Sequence, residues 1–182
     1  FVNNLEMEGF VVAQQSHSNY AKTILSVPST LNMDYVDTFA PGLDDSKFWW
    51  LMEPFIDHSE VRTLLKSQGY QTVSFSTNWS LTDMNSADIH LAAFPVELTD
   101  FEQYLLQTTP LRLSQPFLQD SASVFTSETQ RRTILHTLGA LDDFVSDPDP
   151  VLVFAHILLP HPPFVLDAEG KPVQSATDFS FK

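Results

Sequence analysis

Short apolar segments alternate along this chain with segments of helical character, and this alternation narrows the choice of fold more than any other feature. Ser59 to Gln68 has apolar residues at helical spacing and is followed by Gly69, a typical helix-ending residue. Gln71 to Ser76 then alternates with a period of two, as a half-buried strand does. Val151 to Ile157 is a continuous apolar run, typical of an interior parallel strand, and Gly9 to Ala13 is a further candidate strand. The pattern predicts an α/β layered domain with a mostly parallel central sheet flanked by helices.

The remaining helices are predicted from periodicity and caps. They cover Val2 to Glu8, Tyr20 to Leu31, Asp100 to Gln107 and Glu128 to Phe144. Pro28 is expected to kink or end the second of these, because proline lacks the amide hydrogen that a helix interior requires. Thr108 to Ser123 contains two prolines without clear periodicity and is expected to be a loop.

Composition excludes several classes of protein. The chain has 182 residues, 43% of them hydrophobic, which is enough for one folded unit with a substantial core. Nine basic against 23 acidic residues give a net charge of −14, which argues against binding to nucleic acid because the phosphates would be repelled. No apolar run approaches the roughly 18 to 20 residues that a membrane span needs. The absence of cysteine excludes disulfides, thiolate zinc ligands and a cysteine nucleophile.

Two distant segments carry the residues that chemistry could use. Residues 16–28 hold a cluster of hydroxyl side chains after the first candidate strand, and Val151 to Phe164 delivers His156 and His161 into a proline-rich turn. Ligands of open α/β sheets bind outside the carboxyl ends of the strands, so the two segments are expected to meet there. His17, His58, His90 and His136 are assigned no role.

Several motifs resemble those of the alkaline phosphatase and sulfatase superfamily. Thr23 to Pro28 looks like the nucleophile segment of the membrane phosphoethanolamine transferases, with a threonine three residues before Ser-Val-Pro. Val151 to Pro162 resembles the strand of that family that ends in His-x-x-x-x-His-x-Pro. Ser18 to Tyr20, Leu31 to Tyr35 and Pro160 to Phe164 are similar to bacterial sulfatase-like proteins related to lipoteichoic acid synthases. The resemblance implies an alkaline-phosphatase-like fold.

The resemblance also implies roles for individual residues. Thr23 matches a threonine that ligates a divalent metal, usually zinc, and forms a covalent phospho- or sulfo-enzyme. His161 matches a histidine that contacts a second metal or the anionic group of the substrate, and neutral imidazole is a suitable zinc ligand. Thr23 and His161 are therefore the candidate catalytic and metal-binding residues. A threonine hydroxyl is a weak nucleophile that needs a base or a metal, and a helix start would stabilise both the alkoxide and an anionic ester.

Each assignment has a structural alternative. Thr23 can belong merely to a hydroxyl-rich first helical turn, and His161 can be an exposed turn residue. Asn19 and Tyr20 are candidate substrate donors, but capping and packing explain them equally well. His156 is a further candidate for substrate binding, or a partly buried histidine with one ring nitrogen satisfied by a neighbour.

The function predicted from these motifs is that of a metal-dependent hydrolase or transferase acting on sulfate or phosphate esters, with lipid- or glycan-linked esters among the expected substrates. By resemblance its location is the extracytoplasmic face of a bacterial membrane. Residues 1–182 are expected to be a partial domain that lacks the first strand and the later Asp-His metal-ligand segment, since Asp57-His58 precedes a helix in the wrong place. The segment alone is expected to be inactive. The alternative is a non-catalytic sulfatase-like domain that binds a partner or a glycan.

Overall fold

The computed structural model describes residues 2–7, 11–43, 49–77, 79–118, 121–122, 126–144, 149–159, 161 and 164–173. In this part of the chain, helices surround a small open sheet of three parallel strands. The strands are β1 (Gln71–Phe75), β2 (Ile89–Leu91) and β3 (Val151–Phe154). Their spatial order is β2-β1-β3, so β1 is the central strand. The prediction of a mixed α/β fold with a parallel sheet is confirmed, whereas the alkaline-phosphatase-like architecture stays a prediction.

Five of the eight described helices follow predicted segments with changes at their ends, whereas those at Val36–Phe39, Pro54–Asp57 and Gln115–Leu118 were not predicted. In chain order they are α1 (Val2–Met7), α2 (Thr23–Asn32), α3 (Val36–Phe39), α4 (Pro54–Asp57), α5 (Glu60–Ser67), α6 (Asp100–Thr108), α7 (Gln115–Leu118) and α8 (Ser127–Ala140). Short 3-10 turns span Trp49–Met52, Ser80–Thr82, Pro110–Ser114 and Leu141–Phe144. The segment predicted as a loop between Thr108 and Ser123 therefore contains one 3-10 turn and the short helix α7. No helix among the described residues combines the length and the apolar character needed to cross a bilayer.

The central strand is the most buried element of the sheet. Val73 lies opposite Ile89 of β2 and Val153 of β3, so β1 is paired along both edges. Val73 and Phe75 are almost completely buried. Phe75 packs edge-on against the ring of Phe144, with 6.1 Å between the ring centroids. This pairing and packing fix the position where the chain leaves the carboxyl end of β1.

Helix α2 packs against α4, α5 and the 3-10 turn Trp49–Met52. Ile24 and Leu25 form a buried cluster with Val36, Ala40 and Met52. Pro28 does not end the helix, which continues to Asn32. Proline removes the hydrogen bond from its own nitrogen, but the buried cluster around the first turn holds the helix together across that gap. The helix ends at Met33, which adopts a left-handed conformation with φ of 55°.

One predicted strand is wrong. Val11 to Ala13 belong to no strand, and Val11 is 98% exposed. Gly9 and Phe10, the other residues of that prediction, lie outside the described residues. The remaining place in the sheet is taken by β2, whose three residues include His90 at the centre. So short a segment with a polar residue at its centre has no apolar run that a sequence pattern can detect.

Candidate functional site

A narrow crevice lies beyond the carboxyl ends of β1 and β3. Ser76 and Thr77 follow β1 and line one side, and His156 follows β3. The remaining wall comes from α8 and the chain after His156, with side chains of Gln130, Thr133, Ile134, Thr137, Ile157 and Leu158. This is the edge at which an α/β sheet binds ligands. The strand predicted over Val151 to Ile157 ends at Phe154, so His156 lies after β3 and not inside it.

His156 is partly buried and has one satisfied ring nitrogen. Its Nδ1 atom lies 3.0 Å from the hydroxyl oxygen of Thr82. Burial lowers the pKa of His156 because the charged imidazolium is poorly solvated there. A neutral imidazole thus lines the crevice. His156 is thus partly buried with one ring nitrogen satisfied by a neighbour, and substrate binding by His156 stays a prediction.

Thr23 is the first residue of α2 and is exposed. The preceding residue, Lys22, occupies the N-cap position, and its carbonyl accepts hydrogen bonds from the amides of Leu25 and Ser26. Within the described part of the chain, the amides of Thr23 and Ile24 have no acceptor. The start of α2 therefore presents one hydroxyl and two backbone donors at the positive end of the helix dipole.

The buried cluster around the first turn of α2 lies next to the strand-end crevice. Leu81 packs against the buried cluster that contains Ile24 and Leu25. The next residue, Thr82, carries the hydroxyl group that contacts His156. Helix α2 is thus linked to the histidine after β3 through one short 3-10 turn. The fold brings these two predicted segments to neighbouring parts of the molecule.

Asn19 and Tyr20 hold the chain around α2. The Asn19 amide donates to the Ser29 hydroxyl at 2.7 Å, and that hydroxyl donates to the Asp34 carbonyl. The Tyr20 hydroxyl accepts from the amide of Val36 at 2.9 Å. These bonds show the packing role directly. Substrate binding by Asn19 and Tyr20 stays a prediction.

His161 is exposed in the segment after β3. Its neighbours Pro160, Pro162 and Pro163 lie outside the described residues. A shared site for Thr23 and His161 therefore stays a prediction. Among the described residues, no three histidine, aspartate or glutamate side chains are grouped so that they could hold a metal ion. The described residues do not form a zinc site by themselves, so a metal held by Thr23 and His161 would need further ligands.

Sequence reasoning missed a polar network beside the crevice. His90 of β2 lies with Nδ1 2.7 Å from the Ser74 hydroxyl and Nε2 3.1 Å from a carboxylate oxygen of Glu97. The hydroxyl of Ser76 also bonds to Glu97. The network thus joins β1, β2 and the segment after β2.

Asp83 is a buried carboxylate in the same region. It accepts hydrogen bonds from the amide and the hydroxyl of Thr77, at 2.8 and 2.7 Å. Burial raises the pKa of Asp83, although the two Thr77 bonds partly oppose that effect. Burial acts in the same direction on Glu97, but there the bonds from His90 and Ser76 prevail and the pKa is lowered. Perturbed carboxylates of this kind are typical of functional sites and also of structural networks.

The hydrogen-bonded series Ser74, His90 and Glu97 resembles the nucleophile, base and acid of a catalytic triad only superficially. A hydroxyl has one hydrogen, and Ser74 donates it to the carbonyl of Met84 at 2.8 Å. Ser74 must therefore accept from His90 and cannot pass it a proton. Ser74 is also fully buried, out of reach of a substrate. This network is not a catalytic triad.

Comparison with known proteins found no match to a family model, to a curated protein or to a solved structure. The resemblance to the alkaline phosphatase and sulfatase superfamily accordingly rests on the motifs alone. The class that the described fold defines is an α/β protein with a small parallel sheet.

Proposed function

We propose that this chain is part of a metal-dependent hydrolase or transferase that acts on phosphate or sulfate esters, with Thr23 as the nucleophile. The observation that supports it most is the start of α2. Thr23 is exposed there next to two backbone amides that have no acceptor in the described part of the chain, its own and that of Ile24. The type of reaction is proposed from the resemblance of the motif around Thr23 to the nucleophile segment of the alkaline phosphatase and sulfatase superfamily.

The helix start suits an anionic ester for electrostatic reasons. A chain with a net charge of −14 repels anions over most of its surface, so an anionic substrate needs a local source of positive potential. Free N–H groups at a helix N-terminus provide it and would stabilise the charge that develops on the ester oxygens. In the proposed reaction the Thr23 oxygen forms a bond to phosphorus or sulfur, the bond to the leaving alcohol breaks, and water or an acceptor alcohol later releases the covalent adduct.

The hydroxyl of Thr23 also needs help to lose its proton. A divalent metal, when bound, would lower the pKa of the hydroxyl, and the motif resemblance proposes zinc with Thr23 and His161 among its ligands. His156 lines the neighbouring crevice as a neutral imidazole and is the proposed contact for the substrate, with Asn19 and Tyr20 as additional donors. By the same resemblance, the substrate is lipid- or glycan-linked and the enzyme works on the extracytoplasmic face of a bacterial membrane.

The decisive experiment is to trap the covalent intermediate in the protein that carries this chain. A labelled phosphate ester and a labelled sulfate ester are each mixed with the protein, the reaction is stopped by acid, and the labelled residue is mapped by mass spectrometry. We expect the label on Thr23, and no label after Thr23→Ala. The ester that labels the protein distinguishes phosphate from sulfate chemistry.

Ser26 provides a matched control in the same helix. Its hydroxyl is bonded to that of Ser18, so Ser26→Ala should leave the labelling of Thr23 intact. Label on Ser18 or Ser26 would move the nucleophile within the segment and keep the class of enzyme. Turnover by Thr23→Ala without an adduct anywhere would overturn the mechanism.

A second candidate function is a non-catalytic domain that binds a partner or a glycan. It is favoured by one observation: the motif residues Asn19 and Tyr20 are engaged in bonds that hold the chain around α2. Those bonds would be needed whether or not the domain reacts with an ester. Saturable binding of a glycan that Thr23→Ala leaves unchanged, without any covalent adduct, would support this candidate over the enzyme.

A further inference from the structure

The hydrogen bonds of His90 define its protonation state. Ser74 gives its only hydroxyl hydrogen to the Met84 carbonyl, so the bond between Ser74 and Nδ1 of His90 must be donated by the histidine. A carboxylate can only accept, so the bond between Glu97 and Nε2 must also be donated by the histidine. Both ring nitrogens therefore carry hydrogen. This is the imidazolium form.

The surroundings of His90 favour the same form. Besides Glu97, two further carboxylates act on it electrostatically, Asp83 after the 3-10 turn Ser80–Thr82 and Asp57 at the end of α4. The bond to Glu97 raises the pKa of His90 most, burial opposes it, and the three negative charges add to the increase. The side chain of His90 is 21% exposed and that of Glu97 is 32% exposed, so the pair is partly shielded from solvent.

We propose that His90 is a positioning residue that, as an imidazolium bound to Ser74 and Glu97, fixes the strand-end edge of the sheet and releases it when the proton is lost. Ser74 and His90 are register partners of β1 and β2, so the charged ring joins the two strands near their ends. Glu97 extends the link to Ser76, which lines the crevice next to His156. A neutral imidazole has only one N–H, so loss of the proton leaves His90 with one of its two donated bonds and removes the charge that attracts Glu97, the residue to which Ser76 is bonded.

The direction of the pH effect follows from linkage. The pKa of His90 is about 6.5 in the unfolded chain and higher in the folded one. Its contribution to stability is complete below about pH 6.5 and is lost as the pH rises through the folded value. Between these two values unfolding releases one proton, so the unfolding constant rises by up to about tenfold per pH unit. Protonation of His90 affects the geometry at the carboxyl ends of β1 and β2, and this effect does not depend on the reaction proposed for Thr23.

Two measurements on the protein test this inference. Nitrogen NMR of the histidine rings is expected to show both nitrogens of His90 protonated at pH 6.5, where an ordinary histidine is half protonated. Its titration should shift the amide resonance of Thr77 and the ring resonances of His156 with the same midpoint. In the second measurement, denaturant titrations from pH 5.5 to 9 give the unfolding constant.

Variants separate this role from a merely structural one. His90→Asn should remove the tenfold-per-unit dependence and the linked shift of Thr77, while Glu97→Gln should lower the midpoint of the His90 titration. His17→Asn, at an exposed histidine, should leave both readouts as in the parent protein. A His90 ring with one unprotonated nitrogen at pH 6.5 would overturn the proposal without any variant having to fold. So would a Thr77 resonance that does not follow the His90 titration.

Discussion

The polar groups at the start of α2 and those of the network at the strand ends differ in how many of their hydrogen bonds are made. At the start of α2, Thr23 is exposed, and its amide and that of Ile24 have no acceptor among the described residues. In the strand-end network, Ser74 and Asp83 are buried and each is held by at least two hydrogen bonds. Groups that are free can bind a ligand, whereas satisfied buried groups mainly hold the fold. The difference should appear as opposite effects of substitution on stability and on ligand binding.

The largest loss of stability is expected for Asp83→Ala. The substitution leaves the buried amide and hydroxyl of Thr77 without their shared acceptor. An unsatisfied buried donor costs about 1 to 3 kcal/mol, and relief of the buried charge offsets part of that, so we expect a loss of about 2 to 4 kcal/mol. Denaturant titration at pH 7 measures it.

Asp83→Asn is the matched control for that prediction. The asparagine oxygen can still accept from Thr77, and the buried charge is removed, so less than half of the loss should remain. An Asp83→Ala protein as stable as the parent would show that the network does not hold the strand ends. The contrast between the two regions would then fail.

A smaller loss is expected for Asn32→Ala, at the end of α2 away from Thr23. The Asn32 amide donates to the carbonyls of Pro28 and Phe55, both at 2.7 Å, and its oxygen accepts from the amide of Glu60. It thereby caps α5 from another helix, a task that the N-cap residue Ser59 does not perform. We expect a loss of about 2 kcal/mol.

Thr30→Ala is the control for Asn32→Ala. Thr30 is an exposed residue of the same helix whose hydroxyl donates to the Ser26 carbonyl one turn earlier, so its replacement should change stability by less than about 0.5 kcal/mol. Thermal unfolding of the two variants side by side distinguishes them. Equal effects would mean that Asn32 does not join α2 to α5.

The parts of the fold that the sequence predicts are those defined by neighbours along the chain. The strands at Gln71–Phe75 and Val151–Phe154 follow from apolar patterning, and α5 follows from its periodicity and from Gly69, which adopts a φ of +88°. The helix containing Thr23 was predicted to begin at Tyr20, three residues before its observed start, and Thr23 itself was singled out by the resemblance of its motif and not by a local pattern.

The network around His90 could not be predicted because it depends on register. Ser74 meets His90 only because β2 pairs with β1 in one particular alignment, and Glu97 reaches the ring from the segment after β2. A three-residue strand with a central histidine carries no pattern that reveals this pairing. The same limit explains the false strand at Gly9 to Ala13, where an apolar run has no partner strand to pair with at Val11 to Ala13.

The smallest effect on stability is expected for Thr23→Ala, and it sharpens the comparison most. Thr23 is the first helical residue and not the cap, and its exposed hydroxyl bonds to no described residue, so its removal should change the free energy of unfolding by less than about 0.5 kcal/mol. Alanine favours helix more than threonine does, which moves the change toward stabilisation. Ser29→Ala in the same helix is the matched control, because buried Ser29 is bonded to Asn19 and to the Asp34 carbonyl and should lose about 1 to 2 kcal/mol. Denaturant titrations of both variants check this. A loss above 1 kcal/mol for Thr23→Ala would make Thr23 a structural residue, whereas a stable variant without covalent labelling is what a residue kept free for chemistry should give.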